Sequence, residues 1–284
     1  MRRFYPLLFV FLWSTGFIGA KYGLPYAEPL SFLLTRYGLV IGLMLLIALA
    51  SRAPWPDTPA QWLHIGVSGL LVHAVYLGGV FVAIKHGLPA GVTALVVGMQ
   101  PLLTGALSGC LLGERVSGRQ WGGLALGFVG VGLVVSGKVG EAAFGAMLWP
   151  ALIALLGITA GTLYQKRYCA RFDLRTGSVI QFVPSALLTG VAVVAGDGYH
   201  VEWTGDFLFA LGWLVLVLSI GAIGLLNLLI RSGSAVNVAS LFYLTPPTTA
   251  LIAWAVFGET LSSTAIVGMV LAVGGVWLVA RPAQ

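Results

Sequence analysis

The residues with chemistry to offer are few, and they sit where a charge or an amide is costly. Arg36, His73, Gln100 and Asn227 lie inside long apolar runs of a chain that is 58% hydrophobic and 8% charged. In hydrocarbon such groups either bond to a neighbouring helix or line a path for something polar. His73 is the one histidine well within a run. A neutral imidazole bonded to its neighbours and a proton-coupling group, with an ordinary pKa near ~6.5, are both open to it. Arg36 stands near the start of its run. Pairing with Glu28, or reaching outward to the interface, gives it a structural role. For Thr and Ser side chains in the runs, bonding between helices is the reading. For Gln100, His73 and Asn227, lining and packing stand level.

The groups that are missing narrow the chemistry further. All nine Asp and Glu residues fall in loops or at the ends of apolar runs. The mid-membrane carboxylate that carries protons or sodium in many coupled transporters is therefore not visible. No phosphate-binding glycine loop is present, so ATP does not drive the protein. No triad or metal-spaced cluster occurs, which argues against an enzyme, a metal or a cofactor. The two cysteines, Cys110 and Cys169, are far apart, and no disulfide is expected.

Prolines supply a second kind of site. Pro101 falls near the middle of one apolar run, and Pro246 with Pro247 near the middle of another. A mid-helix proline removes a backbone hydrogen bond and displaces the carbonyl four residues back, here those of Val97, Phe242 and Tyr243. In a bilayer the freed carbonyl must find a partner or face a water-filled cavity. Polar residues accompany the prolines at helical spacing: Thr93, Gln100, Thr104 and Ser108 on the first run, Asn237, Ser240, Pro247 and Thr248 on the second. The pair is read as hinges or binding contacts at the midplane.

The elements that must hold these groups are membrane helices. About 20 apolar residues cross ~30 Å of hydrocarbon, and such runs are expected over 4–23, 30–50, 62–84, 90–112, 119–137, 145–165, 176–195, 207–230, 235–257 and 263–280. The first is read as a retained helix, not a cleaved leader. With both termini in the cytoplasm, eleven Lys and Arg residues fall inside and only Lys21, Lys85 and Lys138 outside. That asymmetry obeys the positive-inside rule. It also accounts for the net charge of +6 without a nucleic-acid partner.

A shift of 145 residues maps Pro101 on Pro246, Gly113-Glu114 on Gly258-Glu259 and Gly130-Val131 on Gly275-Val276. Between 90 and 134, 13 of 45 positions are identical without a gap; before residue 90 the match is near chance. One five-segment unit used twice, 1–139 and 140–284, would place the second copy upside down, an arrangement typical of secondary transporters. The repeated Gly-Glu hairpin is read as structural. Gly113 ends one helix and Ser117 with Gln120 forms a capping box for the next. Gly123 and Gly127, with Gly268 and Ala272, make faces for close packing of the fifth span on the tenth.

With these features in hand, the chain resembles the drug/metabolite transporter superfamily, in its ten-helix EamA-type branch. The resemblance is carried by Trp13-Ser14-Thr15-Gly16-Phe17, by Arg36 and by the paired Pro…Gly-Glu…Gly-rich segments. Within that superfamily it is similar to YddG-type exporters of aromatic and other neutral amino acids. The resemblance implies an all-α integral membrane protein of ten transmembrane helices, arranged as two inverted repeats around a central cavity. It further implies alternating access in a bacterial inner membrane, a small-molecule substrate, a lipid surround and a monomer. Carried onto this sequence, the cavity points to Trp13, Thr15, His73, Tyr76, Met99, Gln100, Thr159, Asn227 and Tyr243, with Pro101, Pro246 and Pro247 as hinges. Positions that differ between the copies, Gln100 against Thr245 and Met99 against Leu244, are where substrate choice would lie. Export of cationic dyes or drugs is the alternative, served by cation–π contacts in an aromatic cavity.

Overall fold

The structure is a computed structural model that describes residues 4–86, 88, 93, 96–136, 148–169, 171–196, 198–257 and 261–280. Among them the regular elements are helical, joined by short turns. In lipid only a helix or a closed barrel satisfies every backbone N–H and C=O internally, so long apolar runs have no other stable choice. We number the helices α1 (Tyr5–Gly23), α2 (Pro29–Ala50), α3 (Pro59–Lys85), α4 (Gln100–Leu112), α5 (Gly118–Val135), α6 (Leu148–Tyr168) and α7 (Leu174–Ala195). Then follow α8 (Gly205–Ser232), α9 (Ala235–Ser240 continuing through a 3-10 stretch into Thr245–Phe257) and α10 (Ser263–Ala280). Seven of these carry runs long and apolar enough to cross a membrane, and Tyr5–Gly16 and Gln100–Leu112 are shorter apolar helices.

Helix ends follow local chemistry. Pro29 and Pro59 occupy first turns, where a missing N–H is harmless. Ser117 forms the expected capping box with Gln120, and Gly113 takes the left-handed conformation at φ 69° that closes α4. Asp173, Thr204 and Ser234 cap α7, α8 and α9 in the same way. Arg175 donates to both Asp173 oxygens at 2.9 and 2.7 Å, which holds that carboxyl below its usual range.

Three departures from regular helix matter for the interior. α3 winds as a π-helix over Leu70–Leu77 and α8 over Leu214–Ala222. Shifted by 145 residues the first stretch becomes 215–222, so the two coincide. In α9, Leu241–Leu244 tighten to a 3-10 helix just before Pro246. On the other side of the shift, 98–99 form a turn and α4 starts at Gln100, with Pro101 in its first turn. Residues 96 and 97 are helical too, so Pro101 sits just past a turn in the helical path, in the first turn of α4, where a proline has no N–H to lose. Pro184, inside α7, is a mid-helix proline that the sequence reading did not single out.

Two packing units follow. The larger joins α1, α2, α3, α7 and α8 around Trp13, Phe32, Tyr37, Tyr76 and Phe182. The smaller joins α5 and α10 and holds Leu124, Val131, Tyr243 and Val276. In that seam a Cβ on Gly123 would lie 2.7 Å from the Gly275 carbonyl, and one on Gly130 2.6 Å from that of Gly268. Glycine is required here because backbone meets backbone. The two helices run antiparallel, as expected for the fifth and tenth spans. Glu114 of the hairpin accepts the Ala235 N–H with both carboxylate oxygens, at 3.2 and 3.0 Å, and so caps α9 from a distance. Its counterpart Gly258-Glu259 lies outside the described residues, as does the unit boundary at 139–140. Cys110 is exposed, Cys169 is buried, and both are free.

Candidate functional site

The interior between α1, α2, α3, α6, α7, α8 and α9 is built in three layers. The first is aromatic. Trp13 of α1 packs on Phe9 at 5.3 Å and edge-on to Phe242 of α9 at 5.3 Å between ring centroids. Tyr76 of α3 belongs to the same buried cluster.

The second layer holds the charge. Arg36 is 1% exposed, and its Nε donates to Ser219 Oγ of α8 at 2.8 Å. Its Nη2 has no partner. Glu28 is taken by Lys85 in an ion pair across α2 and α3. The expected Arg36–Glu28 pair does not form, and the side chain does not reach outward. Instead it turns inward to the middle of α8. Beside it the His73 ring stacks on Phe182 at 4.1 Å and 14°, and neither ring nitrogen has a partner. The Tyr37 hydroxyl donates to the His73 carbonyl at 2.9 Å, which fixes α2 against the π-stretch of α3.

The third layer is a chain of amides. Gln181 of α7 donates to Ser68 of α3 at 3.1 Å and to Gln165 Oε1 of α6 at 3.4 Å. Gln165 donates to Asn227 Oδ1 of α8 at 2.8 Å, and Asn227 returns to Gln181 Oε1 at 3.5 Å. Four helices are thus tied by neutral groups. Gln100 adjoins this layer, donating to Thr162 at 3.4 Å, with its Oε1 unpartnered. It lines a small cavity with Thr162, Lys166, Ile230, Val238 and Phe242, and Lys166 Nζ is anchored on the Ile230 and Gly233 carbonyls.

The structure sorts the residues expected to line the cavity. Trp13, His73, Tyr76, Gln100 and Asn227 converge on this interior. Thr15 lies at its edge, donating to Leu12 and accepting from Trp213 at 3.1 Å. Thr159 spends its hydroxyl on Leu155 of its own helix; Thr162, three residues on, makes the contact with Gln100. Met99 is 37% exposed, on the turn before α4. Tyr243 is fully buried in the α5–α10 unit, with its ring against Gly127 and its hydroxyl unpartnered. The 3-10 winding places Phe242 in the interior beside Trp13 instead. Pro101 and Pro247 are buried and Pro246 partly so, on the two broken segments. Ser68, Gln165, Gln181 and Ser219 were not singled out from the sequence. The spacing Thr159-Thr162-Gln165 and Gln181-Ser185-Thr189 was a signal that could have found two of them.

The sequence model of the EamA-like transporter family matches residues 4–136 and again 145–281. The chain belongs to this family. It is 28% identical to a probable amino-acid metabolite efflux pump of Salmonella typhimurium, over 97% of this chain and 93% of that one. It is likewise 28% identical to the uncharacterized inner membrane transporter YedA of Escherichia coli K12, over 88% of this chain and 81% of the relative. A crystal structure of a protein superposes with a TM-score of 0.79 at 20% identity, covering 97% of this chain and 95% of the other. The fold is therefore a known one. The EamA family chain is a multi-pass membrane protein that moves small molecules, and it is not an enzyme.

Proposed function

We propose that this EamA family chain exports neutral amino acids, aromatic ones included, across a bacterial inner membrane by alternating access. The observation that carries the reading is the neutral amide chain Ser68–Gln181–Gln165–Asn227 at the heart of the helices. Such groups hold a zwitterion by hydrogen bonds without the fixed carboxylates that an ammonium-selective or dye-selective site would use. The Trp13–Phe242 wall beside it suits a flat or apolar side chain. The name of the Salmonella relative agrees with this class of solute.

Alternating access needs two halves that trade places. We assign them to 1–139 and 140–284, ten spans as two inverted five-helix copies with both termini cytoplasmic. Support comes from reciprocal contacts: Gly123 meets Gly275 while Gly130 meets Gly268, and these four are two pairs of positions 145 apart. Contacts that exchange in this way are the mark of a two-fold relation. Tyr37 and Phe182, also 145 apart, touch each other at 5.4 Å.

Counterflow with purified protein in liposomes tests the reading. Labelled Phe, Met or Thr should exchange faster than in empty liposomes, with and without a pH gradient. No movement of any of the three, alongside movement of a lipophilic cation, overturns it in favour of dye export.

A further inference from the structure

We propose that Arg36 is the anchor for a carboxylate of the transported solute, an inference that rests on the amino-acid reading above. A guanidinium keeps its charge in every protein environment, so it cannot escape burial by losing a proton as Lys or His can. Arg36 is nonetheless 1% exposed in the interior of a membrane protein, with Nη2 unpartnered. Such a charge calls for an anion within reach, because an uncompensated ion in a low-dielectric interior is strongly disfavoured.

The described part of the chain supplies no such anion. Glu28 is paired with Lys85, Asp173 with Arg175, and Glu114 with the Ala235 N–H. Asp206 accepts the Tyr26 hydroxyl at 3.1 Å at the start of α8. Asp57 is exposed before α3, where its backbone N–H donates to Gln61 Oε1, and Glu202 is on an exposed turn. The guanidinium's hydrogen-bond partner is Ser219, and none of the acidic side chains named above pairs with it. The two unpartnered ring nitrogens of His73 add to the case. In either neutral tautomer one of them is an N–H, ready for a second oxygen of the same carboxylate. Arg36 Nη2 and a His73 ring N–H would thus be two unpartnered buried donors on the packed helices α2 and α3, and in this proposal the Trp13–Phe242 pair takes the rest of the solute.

The second half of the chain sharpens the assignment. The residue 145 positions after Arg36 is Gln181. Its amide is neutral and already bonded to Ser68, Gln165 and Asn227. One copy holds an unsatisfied charge and the other a satisfied amide at the same position. The site is therefore polar in one direction, and a zwitterion is held with its acid end toward α2.

The experiment compares competitors in counterflow of labelled phenylalanine by the full chain in liposomes. Unlabelled phenylalanine and phenylacetate, which share the carboxylate, should compete; phenylalaninamide, which lacks it, should not. In Arg36→Gln the KM for phenylalanine should rise about tenfold to a hundredfold, the loss expected for a charge-assisted bond, and the preference over the amide should vanish. Equal competition by the amide in the unaltered protein, or an unchanged KM and preference in Arg36→Gln, overturns the inference while leaving amino-acid transport intact. If the unaltered protein moves no amino acid, the transport reading fails by itself. Arg36 is then judged by melting in detergent: a rise with phenylacetate that Arg36→Gln loses supports the anchor, and equal shifts in both proteins overturn it.

Discussion

The seam between α5 and α10 and the interior around Arg36 use opposite means to bring helices together. In the seam, side chains are removed until backbone touches backbone, and the contact is apolar and unforgiving. In the interior, four helices are held through amides and hydroxyls that have several partners to choose from. The first contact is set by backbone; the second is a set of side-chain hydrogen bonds. A transporter needs both, a fixed joint and a region that can exchange its bonds, and the difference predicts how each responds to change.

The largest effect should come from the seam. Gly130→Leu would drive a side chain into the Gly268 carbonyl and the Ala272 backbone, which cannot yield. Destabilisation of about 3 kcal/mol or more is expected, read as lost monodisperse protein in detergent and a lowered melting temperature. If Gly130→Leu melts like the unaltered chain, the contrast with the interior collapses.

Asn227→Leu should come next. It strands the donor of Gln165 and the acceptor of Gln181, at roughly 1–2 kcal/mol. The protein should fold, with transport reduced about tenfold in counterflow. A transport rate equal to that of the unaltered protein would demote the amide chain to packing. Tyr37→Phe removes one buried bond to the His73 carbonyl, and a loss of about 1 kcal/mol in thermal stability is the expected reading.

Tyr243→Phe should do least. Its hydroxyl has no partner and it belongs to the seam unit. Melting should be unchanged or slightly raised, and transport unchanged. A marked transport defect would move Tyr243 back among the lining residues.

The reasons for what the sequence did and did not reveal lie in the same contrast. The apolar helices were legible because hydrocarbon leaves the backbone no alternative; seven are long and apolar enough to cross a membrane, while α4 starts at Gln100, ten residues after the expected start at 90. The Gly113 cap, the Ser117–Gln120 box and the glycine seam were legible because each is a local rule of backbone geometry. The interior was harder. For Arg36, pairing with Glu28 and reaching outward were both open, but Lys85 takes the carboxylate and Arg36 turns to Ser219. Tyr243 was placed on the cavity by the family resemblance, whereas its ring packs in the α5–α10 unit and its neighbour Phe242 meets Trp13. Thr159 was named by the family resemblance, whereas Thr162 is the hydroxyl that Gln100 meets. Pairings across helices are made by tertiary packing, and a single sequence carries no record of them.

The π-wound stretches of α3 and α8 have a consequence for insertion and deletion. An α-helix rotates by about 100° per residue, so removing one residue normally turns everything beyond it to a new face. A π-stretch holds a spare residue within its turns. Taking one residue out of Leu70–Leu77 or Leu214–Ala222 would relax the stretch to ordinary helix and leave both flanks facing as before. Elsewhere along the same spans a deletion would scramble the packing. Each of these two helices thus carries its own slack, at positions 145 residues apart in the chain.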